Sequence, residues 1–317
     1  MRELRRASRG RVLLAFAAVY VVWGSTYLAI RIGIETIPPL LMAAVRFLVA
    51  GALLYGVSRL RGAPRPARRE WRGAAIVGVL LLLGGNGAVV LAERTVPSGV
   101  AALLVATVPV WMVVLDWLWR GAARPGPRVF VGLMLGLAGI ALLVGPGAFG
   151  GGAVDAAGAA ILLVGSLSWA SGSVYSRRAE LPRHAMLATG MEMLCGGTAL
   201  ALAGALHGEL AMLHPSTIST ASLLGLLYLV GFGSLVGFTA YIWLLDHVPA
   251  PRVSTYAYVN PVVAVVLGWA VLGEALTPRM AAAAAVIVAA VVLITTAGQR
   301  DRPRAARGPR GVAEEAA

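Results

Sequence analysis

The sequence predicts an all-α integral membrane protein of ten transmembrane helices, arranged as two inverted five-helix repeats. Three observations lead there. The 317 residues are 59% hydrophobic and 13% charged, whereas soluble chains average about 25% charged. The apolar residues are gathered into ten runs of roughly 20, the length of a helix that crosses a bilayer. Finally, the second half of the chain repeats features of the first. Ten such runs take up roughly 200 residues, which leaves no room for a sizeable soluble domain.

The runs lie at 12–31, 39–58, 72–92, 98–119, 127–145, 156–176, 185–206, 221–245, 252–272 and 279–297. They are read as helices because lipid offers no partner for backbone amides, and the alternating strands of a barrel are not seen. The first run follows a basic stretch from Arg2 to Arg11, as a secretory signal would. It is longer than a signal core of about 7–15 residues and continues into Trp23-Gly24-Ser25-Thr26-Tyr27, so it is read as an uncleaved first helix. The expected organisation is a first repeat over 11–145, a second over 156–297, and a disordered cytoplasmic tail over 298–317.

The formal charge is +13, with 27 basic residues against 14 acidic ones, and every basic residue is Arg. A nucleic-acid partner needs a basic stripe on one water-facing surface. Here the arginines come in short bursts between apolar runs, which is how topology is written. With the N-terminus inside, 23 arginines face the cytoplasm, and only Arg31, Arg94 and Arg279 fall outside. Arg46 lies within a span. The expectation is a multi-pass protein of the plasma (inner) membrane with both termini cytoplasmic, no nucleic-acid partner, and a monomer or weak homodimer. The lone Cys195 lies inside an apolar run, so an intrachain disulfide is impossible and helix packing is its expected role.

A shift of 152 residues lays Val96-Pro97, Pro109-Val110, Trp117 and Gly121 onto Val248-Pro249, Pro261-Val262, Trp269 and Gly273. A shift of 146 lays Trp23, Ser25 and Arg31 onto Trp169, Ser171 and Arg177, and places Arg46 against Glu192. Five spans is an odd number, so two copies in series enter the membrane in opposite senses. That is the plan of many secondary transporters, which bind substrate near the midplane where the repeats meet.

Several short motifs then occur in a specific order: Trp23-Gly24-Ser25-Thr26-Tyr27, Arg46-Phe47, Gly85-Asn86-Gly87, Val96-Pro97-Ser98-Gly99, Ser168-Trp169-Ala170-Ser171, Glu192-Met193-Leu194 and Tyr256-Ala257-Tyr258-Val259-Asn260-Pro261. Over roughly 11–297 the chain thereby resembles the EamA family of the drug/metabolite transporter superfamily, and within it the YedA-type exporters. The resemblance implies two five-helix halves, a central cavity lined by the first four helices of each half, and export of a small-molecule substrate by alternating access. Two features depart from the family pattern. Gly273-Glu274 corresponds to Gly121-Ala122 in the first half, and Asp116 is an unexpected carboxylate in the fourth run.

Charges within hydrocarbon normally face a cavity or a partner. Arg46 and Glu192 therefore either line the cavity or tie two helices together, with a direct salt bridge left open between them. Glu93, beside Arg94, reads as part of a pair in the headgroup zone, and Asp116 as an interfacial anchor. The cavity candidates are Trp23, Tyr27, Arg46, Asn86, Trp169, Glu192, Tyr256 and Asn260. Pro109 and Pro261 each leave a carbonyl unsatisfied one turn earlier, which marks bends or breaks that would serve as hinges.

An intramembrane enzyme lacks its parts. His184, His207, His214 and His247 fall in or beside loops, no metal-ligand cluster is present, and no serine has an intramembrane histidine to activate it. A phosphate-gripping loop of the Gly-x-x-x-x-Gly-Lys kind is excluded because the chain has no lysine. No cofactor or metal is expected. The remaining alternatives to a proton-driven exporter are a facilitator, uniporter or channel for small metabolites, and a membrane sensor that does not transport.

Overall fold

The computed structural model describes residues 8–120, 126–144, 155–248 and 256–300. Within the described residues each of the ten apolar runs is helical, with one break at Ala106–Thr107. The segments are α1 (Arg9–Gly33), α2 (Pro39–Leu60), α3 (Arg68–Ala92), α4 (Ser98–Val105 and Val108–Arg120), α5 (Pro127–Val144), α6 (Ala156–Ser176), α7 (Ala185–Leu206), α8 (220–247), α9 (Tyr256–Leu272) and α10 (Pro278–Arg300). Seven of these spans are long and apolar enough to cross a bilayer. The apolar parts of α5, α9 and α10 are shorter. The fold is all-helical among the described residues, and residues 298–300 of the expected tail continue α10. Residues 301–317 lie outside the described part.

The helix starts follow local chemistry. Pro39 and Pro278 open α2 and α10, where a missing N–H costs nothing. Asp155 caps α6 by accepting from the Ala157 and Gly158 amides at 3.4 and 2.9 Å, and Ser219 caps α8 through the Ser222 amide at 3.1 Å. Two helices carry a wider turn in mid-span. Val79–Asn86 of α3 and Leu229–Val236 of α8 are π-helical, closed by i→i−5 bonds from Gly87 N to Leu82 O and from Gly237 N to Phe232 O.

The halves pack against each other. α2 and α7 run antiparallel, with Gly51, Gly190 and Gly197 at their crossing; a Cβ on Gly51 would lie 2.9 Å from the Gly190 carbonyl oxygen. Small residues at such a crossing let backbones approach closely, which is where helix association in lipid draws its energy. α1 packs on α8 and α9, α6 on α3 and α4, and α5 on α10. Met42 and Phe47 of α2 are fully enclosed at the centre. Leu14, Leu53, Val164, Leu206, Leu224 and Trp269 are exposed. Large apolar side chains over the outer surface of a helical bundle suit lipid and not water.

Candidate functional site

The π-helical stretch of α8 receives side chains from two helices of the first half. Trp23 Nε1 donates to the Gly233 carbonyl at 3.2 Å. Arg46 Nε donates to Ser234 Oγ at 3.0 Å, on the next residue. A Cβ on Gly237 would lie 2.3 Å from Trp23 Nε1, so the indole sits where only glycine leaves room. The Arg46 guanidinium lies 4.7 Å from the Phe47 ring centroid, and the residue is 5% exposed. No carboxylate of the described residues forms a salt bridge with it.

Around this point the aromatic residues converge. Trp23 and Tyr256 meet edge to face with centroids 5.0 Å apart, and Tyr241 lies 5.1 Å from Trp23 and 5.8 Å from Tyr256. Tyr27, one turn beyond Trp23, is within electrostatic reach of Tyr256 and of Glu93. Asn260, with its NH₂ turned toward them, donates to the Tyr20 and Tyr256 carbonyls at 3.3 and 3.2 Å. Five of the eight cavity candidates, Trp23, Tyr27, Arg46, Tyr256 and Asn260, are thus gathered where α1, α2, α8 and α9 meet.

Asn86 and Trp169 form a second group on the opposite pairing of helices. Trp169 of α6 lies against the π-helical stretch of α3, where a Cβ on Gly85 would come within 2.7 Å of its Cε3. Half-buried Asn86 ends that stretch. Ser168 Oγ donates to the Leu80 carbonyl at 2.8 Å. Glu192 stands apart from both groups. It is half-buried on α7, and its carbonyl faces Gly78 of α3. Arg46 turns instead to α8, so the salt bridge left open in the sequence is not formed.

Seven of the eight candidates are half-buried and Arg46 is buried. An apolar groove of about 440 Å³, lined by residues such as Leu83, Ala88, Ile161 and Ala203, contains none of them. The two prolines differ. α4 breaks at Ala106–Thr107 just before Pro109, where Thr107 Oγ1 donates to the Leu104 carbonyl at 2.6 Å. Pro261 lies inside an uninterrupted α9, so only Pro109 coincides with a break. The Asp116 side chain lies outside the described residues.

Three glutamates act in ways their sequence positions do not announce. Glu209 lies in the helical turn Glu209–Met212 after α7 and is 1% exposed. Its Oε1 and Oε2 accept from the Leu40 and Leu41 amides at 3.2 and 2.9 Å, capping α2. Glu274, after α9, caps α4 in the same manner, accepting from Ser98 N at 2.7 Å and Gly99 N at 3.1 Å. Each carboxylate satisfies two orphan amides and meets the positive end of a helix dipole in the other half. Glu93 forms no ion pair with the neighbouring Arg94. It is wholly buried while Arg94 is exposed, and neither of its side-chain oxygens has a hydrogen-bond partner. No local signal foretells the caps, because each joins residues more than 160 positions apart.

The sequence pattern of the EamA-like transporter family matches residues 10–145 and again 156–296. The chain is 45% identical over 264 residues to the uncharacterized inner membrane transporter YedA of Escherichia coli strain K12, covering 83% of each. It is 26% identical over 280 residues to the uncharacterized transporter YvbV of Bacillus subtilis, covering 88% of this chain and 90% of that one. It is also 25% identical over 276 residues to a probable amino-acid metabolite efflux pump of E. coli, covering 82% and 86%. A solved crystal structure shares the fold with a TM-score of 0.62 at 23% identity, over 92% of this chain and 99% of that one.

Proposed function

This chain belongs to the EamA-like transporter family, and from that premise we propose that it exports small amphipathic metabolites or drug-like molecules across the plasma membrane by alternating access, driven by the proton gradient. It is a multi-pass membrane protein, and the arginine distribution supports a topology with both ends in the cytoplasm. Domains 11–145 and 156–297 are the two inverted units, and the matched family segments support that division.

The observation that carries the reading is the buried Arg46 beside the Trp23–Tyr256 pair. A guanidinium within a span costs at least about 2.5–3.5 kcal/mol on insertion scales, and this one is held by a serine hydroxyl with no carboxylate among the described residues to neutralise it. A positive charge and aromatic faces together suit a substrate with one anionic or polar end and one apolar end. The efflux-pump relative, named for amino-acid metabolites, supports that class. Trp23, Tyr27, Arg46, Tyr256 and Asn260 would contact substrate on one side, Asn86 and Trp169 on the other, with Glu192 contributed from α7. The α4 break before Pro109 would let the helix flex as the halves rock, with Pro261 its counterpart in α9.

The test is metabolite export. Mass spectrometry of the medium from cells that overproduce the protein, from cells that lack it, and from cells that make Arg46→Ala at equal membrane level identifies the cargo. Export by the first alone is expected, and identical media would overturn the reading. Counterflow-stimulated, saturable flux of the identified compound in proteoliposomes separates a carrier from a channel or a sensor.

A further inference from the structure

Glu93 ends α3, one residue beyond the apolar span Arg68–Ala92. Its carboxyl is enclosed completely and accepts no hydrogen bond. The groups that act on it come from two neighbouring elements: Glu274 from the segment after α9, and Arg31 and Tyr27 from α1. Arg31 spends a guanidinium N–H on the Glu93 backbone carbonyl and leaves the carboxyl unbonded. Beside Glu274, Ser98 Oγ is likewise buried without a partner. The closeness of these two groups is seen at Gly268, where a Cβ would lie 2.4 Å from Glu274 Oε2 and 2.9 Å from Ser98 Oγ.

The two carboxyls are unequal. Glu274 accepts from the Ser98 and Gly99 amides at the start of α4. Glu93 has no such donors, and a buried carboxylate without donors or a bound counter-ion favours its neutral form. Burial first, and the neighbouring Glu274 charge second, push the Glu93 carboxyl well above the usual carboxylate range, while Arg31 draws it down.

We propose that Glu93 is a proton-binding site that governs the Glu274 latch between α9 and α4, and so couples proton occupancy to opening of that end of the transporter. With a proton on Glu93, Glu274 is the one anion at this place and stays on the α4 amides. When the proton leaves to water, the second negative charge repels Glu274 from Ser98 and Gly99 and uncaps α4. Proton occupancy thereby biases a two-state contact between the halves. The mechanism rests on the exporter reading, but the site can be examined without any cargo.

Full-length protein in lipid nanodiscs is titrated by infrared spectroscopy as wild type, Glu93→Gln and Glu93→Asp. The expected result is a protonated-carboxyl band at neutral pH that is missing in Glu93→Gln and displaced in Glu93→Asp. Hydrogen exchange over 98–105, corrected for its intrinsic pH dependence, is expected to accelerate roughly tenfold as Glu93 titrates, the effect of about one unit of coupling between two carboxyls. Glu93→Gln and Glu274→Gln should lack that step. A neutral-pH band unchanged by either Glu93 substitution overturns the proposal, as does an exchange step that survives in Glu93→Gln. Loss of the band on adding sodium at fixed pH also overturns it, by making the site one for a metal cation. Neither readout requires transport, so failure here leaves the export reading standing, and failure of export leaves these spectra as they are.

Discussion

Trp23 and Trp169 stand 146 residues apart, and each indole lies against a π-helical stretch in the opposite half of the chain, Trp23 on Leu229–Val236 of α8 and Trp169 on Val79–Asn86 of α3. The two stretches are themselves 150 residues apart. The wider turn and its glycines make a seat into which a large ring from the first helix of the other half fits.

Filling either seat should destabilise the bundle. Gly237→Ala and Gly85→Ala introduce a methyl 2.3 and 2.7 Å from an indole atom, an overpacking expected to cost about 1–3 kcal/mol. Gly56→Ala, which meets nothing within 4 Å, is the control. Thermal unfolding in one detergent should show lower midpoints for the first two and no fall for the third.

Arg46 should matter for activity more than for folding. Arg46→Ala removes the charge, and if a charge-assisted hydrogen bond to substrate is worth about 1.5–3 kcal/mol, flux of the identified cargo falls roughly 10- to 100-fold at equal membrane level. Arg46→Lys keeps the charge without the planar fork and should retain an intermediate rate. Flux unchanged in Arg46→Ala would remove the residue from the pathway.

Glu209 should matter for folding. In Glu209→Ala the Leu40 and Leu41 amides lose their acceptors, and leaving buried donors unpaired costs about 1–3 kcal/mol each. Glu209→Gln keeps one acceptor and should lose less. Denaturation midpoints of the three proteins order as wild type, Gln, Ala if the cap is as described.

Asp155 gives the sign of one acid dependence. The Thr95 hydroxyl and then the Gly158 amide hold its carboxyl below the ordinary 3.8, against an opposing effect of burial and with a lesser contribution from the Ala157 amide. A folded value lower than the unfolded one means the stabilisation is complete above pH 3.8 and is lost as pH falls through the folded value. Melting temperatures followed from neutral pH downward should decline below about pH 4 in the wild type, with that part of the decline missing in Asp155→Asn.

Topology is open to direct labelling. With Cys195 replaced by Ser, a single cysteine at exposed Arg94 should react with a membrane-impermeant reagent from outside intact cells, and one at exposed Arg178 only after lysis. The reverse pattern would invert the arrangement read from the arginines.

The sequence by itself determined where the helices are. A run of apolar residues has to bond its own backbone in lipid, so its length and limits follow from composition alone, and α2, α6 and α7 differ from the sequence reading by at most two residues. Family membership was legible for a related reason, in short motifs such as Trp23-Gly24-Ser25 that need no partner to be recognised. Tertiary structure alone decided which charges meet. A salt bridge from Arg46 to Glu192 was left open by the sequence, and the structure turns Arg46 to Ser234 instead, because depth along a helix is written in the sequence and rotation about it is not. The Glu209 and Glu274 caps, the seclusion of Glu93 and the two π-helical seats all depend on atoms brought together from distant parts of the chain, and an apolar helix with a nearly uniform face carries little local record of which neighbour it will meet.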